Sequence, residues 1–143
     1  MSLQGAYDPD NVFARIIRGE IPSAKVWEDE RVLVILDAFP QARGHALVLH
    51  KQSRARNLLE AEPDALNEVM AAVQRTARAV TAALKPDGVV VTQFNGAPAG
   101  QTVFHLHVHV IPRFEGEPLG RHGGGMADPE ELRALAATIA QQF

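Results

Sequence analysis

His105, His107 and His109 alternate with the aliphatic residues Leu106, Val108 and Val110. A period of two is the period of a β-strand, whose successive side chains point to opposite faces. The spacing predicts a strand over residues 105–111 with three imidazoles on one face and a core-facing aliphatic set on the other. The rise per residue sets neighbouring imidazoles roughly 7 Å apart. Such a row is costly unless the rings have partners. Three chemistries fit it. The rings could be individually satisfied, they could bind zinc or copper, or one could serve as nucleophile or base while the others orient or charge it. Half of the chain's six histidines fall within these five residues, which counts against the first.

The residues just upstream bear on the choice. Asn95 to Thr102, NGAPAGQT, holds two glycines and a proline and reads as a loop. Small residues let backbone N–H groups approach an anion closely, and Gln101 and Thr102 add polar side chains where the strand begins. Beside three aligned histidines, this loop reads as a phosphate cradle next to a nucleophile.

The sequence resembles the histidine triad family of nucleotide hydrolases and transferases, in its bacterial-type form. Residues 105–111 match the family's His-φ-His-φ-His-φ-φ pattern, with φ hydrophobic, at all seven positions. Gly100-Gln101-Thr102-Val103 before it and Pro112-Arg113 after it match as well, and the similarity runs from about Asn11 to Arg113.

The elements that must position these residues follow from the rest of the chain. Its 143 residues fit one domain, with a core over about 11–113 and a loop and helix over 114–143. With 46% hydrophobic residues the chain can bury a core. A formal charge of −3 gives no reason to expect nucleic-acid or membrane-surface partners. There is no cysteine, hence no disulfide and no thiolate metal site. No apolar run approaches the roughly 20 residues of a membrane span. The N-terminus lacks the apolar stretch of a signal peptide, so a cytoplasmic location is expected.

Residues 10–19 read as a short helix capped by Asp10 or Asn11 and ended by Gly19. Residues 26–28 and 31–37 read as strands joined by a turn at Asp29-Glu30, the second buried on both faces. Asp37 ends that strand, where a carboxylate is often a turn former. Residues 45–51 form the next strand, with His45 and Leu47 on the opposite side from Val48 and His50. His50 reads as structural or exposed. Pro63 to Leu84 is the clearest helix, its apolar stripe running from Leu66 to Leu84, started by Pro63 and stopped by Pro86 and Gly88. A strand over 88–94 leads into the cradle loop. The Gly-rich run after Arg113 reads as a flexible loop in which His122 has no role. Asp128 caps a last helix opened by Pro129, free to pack on the core or across a dimer interface. Short strand connections favour an antiparallel sheet with helices packed against it, an α+β fold.

The resemblance adds roles. It implies that Phe13, Ile16 and Ile21 touch the base, that Leu36 packs near base or sugar, and that Asp37 accepts hydrogen bonds from both ribose hydroxyls. It places His45 close to the triad, either supporting it through a hydrogen bond or as a satisfied strand-end histidine. Phe94 stands where many relatives have asparagine, so Asn95 is the next polar group available to the sugar. Some bacterial relatives bind a structural zinc through Cys-φ-Phe-Cys and two histidines. The matching positions here are Asn11 and Ala14, and His45 and His105 alone do not make a four-ligand zinc site. No metal and no cofactor is therefore expected.

For the reaction, the resemblance implies two-step nucleotidyl transfer. His107 attacks the α-phosphorus, its other nitrogen held by the carbonyl of His105. His109 donates to a phosphoryl oxygen. Thr102 and loop N–H groups hold the phosphate, and Gln101 positions the phosphate or the leaving group. The implied substrate is a purine nucleoside phosphoramidate or, in another branch of the family, a dinucleoside polyphosphate. A nucleotide- or metal-binding module without turnover is the reading from a different class. The resemblance also implies a homodimer.

Overall fold

The computed structural model describes residues 3–121 and 124–143. His122, read above as lacking a role, lies outside them. In chain order the elements are α1 (Val12–Ile17), β1 (Ala24–Glu28), β2 (Val32–Leu36), β3 (Ala46–His50), α2 (Pro63–Leu84), β4 (Gly88–Thr92), a 3-10 turn (Ala97–Ala99), β5 (His107–Arg113) and α3 (Pro129–Ala140). The five strands form one antiparallel sheet in the order β1-β2-β3-β5-β4, which makes the fold α+β as expected.

Local chemistry sets the ends of these elements. Asn11 caps α1 by accepting the N–H of Ala14 at 2.9 Å. Gly19 ends the helix region with φ +81°, a conformation that costs glycine nothing. α2 opens on Pro63 and closes at Lys85, a left-handed residue whose N–H bonds Thr81. Asp128 caps α3 by accepting the N–H of Glu130. Asp29 accepts the N–H groups of Arg31 and Val32, which folds the β1–β2 hairpin.

The sheet has two different faces. Val32, Val34, Ala46, Val48, Val108 and Val110 point at α2 and α3, where Val69, Val73, Val80, Ala136 and Ile139 complete a core. Leu33, Ile35, Leu47 and Leu49 point the other way, against Phe13, Ile16 and Ile17 of α1 and against Val103. β2 and β3 are thus buried on both faces, which is why they read as continuous aliphatic runs. α3 packs on this molecule's own sheet and on α2. Phe143 stacks on Trp27, and the guanidinium of Arg75 lies 4.4 Å from the Trp27 ring.

The histidine strand differs from expectation at its start. β5 runs from His107 to Arg113, so His105 lies before the sheet ladder. β3 provides pairing residues only for the later part, with Leu49 opposite His107 and Leu47 opposite His109. The strand before the cradle is also shorter than expected, stopping at Thr92.

Candidate active site

His107 and His109 lie side by side on the α1 face of the sheet, with ring centroids 5.0 Å apart. That is closer than the strand rise suggests. His107 bonds the backbone carbonyl of His105 through Nδ1 at 2.6 Å. A carbonyl only accepts, so Nδ1 carries the ring proton and Nε2 the lone pair, the arrangement a nucleophile needs. Phe13 packs edge-on against His107 with centroids 4.8 Å apart.

His109 is set through a chain of hydrogen bonds. The N–H of Gln41 donates to His45 Nδ1 at 3.1 Å. That leaves the His45 proton on Nε2, which lies 2.9 Å from His109 Nδ1 and 3.5 Å from an Asp37 oxygen. His109 Nδ1 therefore accepts, and its own proton sits on Nε2. The other Asp37 oxygen accepts the N–H of Phe39 at 2.8 Å. Phe94 packs edge-on against His109 at 5.4 Å and supports Gly100, whose φ of +110° makes the turn into the loop.

Asp37, His45 and His109 bring three potential ligand atoms within 4.8 Å of one another. Their tautomers oppose a cation. With Gln41 donating to Nδ1, His45 Nε2 holds a proton and has no lone pair for a metal. The pairing of His45 with His105 considered for zinc is not formed either. His45 bonds His109, whereas His105 bonds Tyr7 and the His50 carbonyl. At the two cysteine-equivalent positions, Asn11 caps α1 and Ala14 has no donor atom.

His105 is 2% exposed, and burial pushes it down to about 4. Its Nε2 donates to the His50 carbonyl at 2.9 Å and its Nδ1 lies 2.7 Å from the Tyr7 hydroxyl. It serves the site through its backbone carbonyl and does not share the reacting face. His50 is buried and structural, bonded to Glu68 and to the N–H groups of Gln52 and Ser53.

A cleft of about 440 Å³ opens in front of His107 and His109, within the roughly 300–1,000 Å³ of small-molecule sites. Phe13, Ile16, Leu36, Asp37 and Thr102 all line it, together with the two histidines. Three expected contacts do not. Ile21 is absent from the wall, where Pro22, Ser23 and Ala24 take its place, because the chain turns into β1 there. Asn95 accepts the N–H of Leu58 at 2.9 Å and the Gln93 amide at 2.8 Å, so it ties the loop to its neighbour. Gln101 is buried beneath the cradle. Its carbonyl accepts the N–H of Gly96 and its amide donates to the carbonyls of Arg56 and Val103. It is a strut of the loop, with its donors and its acceptor engaged away from the cleft.

The opposite wall was not foreseen. Met126, Ala127, Pro129, Leu132 and Arg133 close the cleft from the C-terminal segment. Three hydrogen bonds bring that segment there: the Gly120 N–H donates to the Gln41 carbonyl, the Gln41 side-chain amide donates to the Gly120 carbonyl, and the Ala127 N–H donates to the carbonyl of Ala38 at 2.9 Å. The sequence marked a helix here, from its Asp128-Pro129 start and an apolar face that includes Leu132, without placing it at the cleft.

The model of the HIT domain family matches residues 18–116. The chain belongs to the histidine triad, or HIT, family. A solved Hit-like protein of Bartonella henselae, described as involved in cell-cycle regulation and crystallised with an unknown ligand, has a TM-score of 0.92 and 45% identity, covering 97% of this chain and 100% of that one. The Bacillus subtilis relative called Protein hit is 39% identical over 136 residues, 92% of this chain and 93% of its own length. An Arabidopsis thaliana relative, adenylylsulfatase HINT3, is 39% identical over 119 residues, 79% of this chain and 60% of that protein. As a HIT protein the chain is a member of a nucleotide-binding family that includes hydrolases. In this HIT protein His107 and His109 both line the cleft, while His105 bonds His107 through its backbone carbonyl from outside it.

Proposed function

We propose that the protein is a nucleotide hydrolase acting on purine nucleoside phosphoramidates through a covalent nucleotidyl-His107 intermediate. The observation that carries this reading is the bond from His107 Nδ1 to the His105 carbonyl, which leaves the Nε2 lone pair for a phosphorus atom in the cleft. In the first step the Nε2–P bond forms and the P–N bond breaks. The amine departs with that electron pair and takes up a proton. In the second step water forms the new O–P bond, the Nε2–P bond breaks, a proton is released and the nucleoside monophosphate leaves. His109 Nε2–H stabilises the phosphoryl oxygens in both steps. Asp37, at the mouth of the cleft, accepts the ribose hydroxyls, and Phe13 and Ile16 pack on the base.

A second reading keeps the intermediate and changes the leaving group. The name of the Arabidopsis relative favours a sulfate leaving group. The Gln101-Thr102-Val103 and Pro112-Arg113 pairing favours a nucleotide one, as in dinucleoside polyphosphates. The test is a rapid-quench mass measurement with adenosine phosphoramidate, adenylyl sulfate and a diadenosine polyphosphate in turn. An AMP adduct on His107 is expected, forming fastest with the phosphoramidate. No adduct and no AMP from any of them would leave a binding module in place of a hydrolase.

We further infer a homodimer paired along β4. Supporting this, β4 is an edge strand, and Val90, Val91 and the neighbouring Met70 of α2 are exposed apolar side chains beside it. An apolar strand edge in water is a template for pairing with another chain.

A further inference from the structure

The carbonyl that orients the nucleophile belongs to a residue outside the sheet. His105 precedes β5 and lies outside the register that pairs β3 with β5. Three other bonds hold this stretch. Leu106 donates its N–H to the Ala55 carbonyl at 3.0 Å. His105 Nε2 donates to the His50 carbonyl at 2.9 Å. The third comes from the N-terminal arm, where the Tyr7 hydroxyl lies 2.7 Å from His105 Nδ1. With the ring proton on Nε2, Nδ1 accepts and the tyrosine donates.

The arm is itself fastened. Arg54 lies over the Tyr7 ring at 5.0 Å. Asn57 donates to the Leu3 carbonyl at 3.1 Å, and Gly5 passes against the buried guanidinium of Arg56 so closely that a Cβ there would stand 3.1 Å from it. The backbone carbonyl of Arg56 in turn receives the Gln101 amide that braces the cradle. Tyr7 lies before residues 18–116, the stretch shared with the HIT domain.

We propose that Tyr7 is a positioning residue for the reaction, a role that rests on the hydrolase reading above: its hydroxyl anchors the His105 ring, which holds the His105 carbonyl against His107 Nδ1. A loosened carbonyl lets the nucleophile rotate and change tautomer, and misplacement of a reacting group costs rate steeply while the binding surfaces stay as they were. The arm is thus a functional part of the catalytic centre.

Tyr7→Phe keeps the ring and the Arg54 contact and removes only the hydroxyl. With the phosphoramidate, the rate of His107 nucleotidylation and kcat should each fall roughly tenfold, with KM within about twofold. Imidazole NMR supplies a readout independent of turnover. The His105 Nδ1 signal should lose its hydrogen-bond shift, and the proton in the short His107–carbonyl bond should move upfield. Tyr7→Leu, which removes the ring too, should do no less. Unchanged His107 resonances, or wild-type turnover in Tyr7→Phe with only Tyr7→Leu impaired, would overturn the proposal and leave Tyr7 as packing. If the wild-type protein makes no adduct with any substrate, the hydrolase reading fails and the catalytic role of Tyr7 with it. The NMR shifts would then still show whether the hydroxyl holds the carbonyl.

Discussion

In the proposed scheme His107 attacks phosphorus through Nε2 only while Nδ1 keeps its proton and donates it to the His105 carbonyl. Replacing it with alanine removes the lone pair and leaves the cleft walls intact. His107→Ala should lower kcat by at least about 10⁴-fold, as for other lost nucleophiles, while nucleotide affinity by calorimetry changes little. Normal turnover in that variant would end the covalent scheme. His105 makes a second prediction, about stability. Its ring is held near 4 in the fold against an ordinary 6.5. Between those values the unfolded chain binds the extra proton, so stability rises with pH there. The contribution is complete above about pH 6.5 and is lost as pH falls toward 4, amounting to about 3 kcal/mol. Melting temperature should drop on acidification through this window, and His105→Asn should flatten the drop. An equal slope in both proteins would assign the acid sensitivity to other groups.

The elements carry the next level of control. His45, just before β3, bonds His109 of β5, and the 38–41 loop sets their tautomers through the Gln41 N–H. α3 presents Pro129, Leu132 and Arg133 to the cleft, so the order of its first turn should matter for binding more than for chemistry. Asp128→Ala removes the cap and should cost about 1 kcal/mol. KM should rise severalfold with kcat nearly unchanged, which steady-state kinetics would separate. A fall in kcat alone would place α3 in the chemical step instead. At this scale the sequence was legible where periodicity was strong. Pro63 and Leu84 bound α2 as expected, and Asn11 and Asp128 cap as read. It was not legible for Gln101 and Asn95, whose polar side chains fit a phosphate cradle and a loop strut equally well. The choice between them depended on Arg56, Gly96 and Leu58, partners as far as 45 residues away in the chain.

At the scale of the whole molecule, the apolar β4 edge predicts an assembly. Val91→Lys puts a charge on the exposed edge, and sedimentation velocity should show the dimer dissociating while the monomer keeps its fold. A wild-type protein that sediments as a monomer at micromolar concentration would remove the dimer altogether. Alternation at His107 and His109, continuous aliphatic runs in β2 and β3, the stripe of α2 and short strand connections were enough to give the antiparallel α+β fold and the face that carries His107 and His109. These are local signals, because burial on one face or both imposes its period directly on the chain. The resemblance carried by the motif supplied His107 as the proposed nucleophile and the His105 carbonyl as its partner, a bond that the fold forms. What depended on tertiary structure was everything supplied from a distance. The division of the triad came from Tyr7, His50, Gln41 and His45, and the far wall of the cleft came from the segment tied to Ala38 and Gln41. Hydrogen-bond partners separated by 55 to 98 residues leave no periodic trace, because such a contact is specified by packing of the whole chain and by neither residue alone.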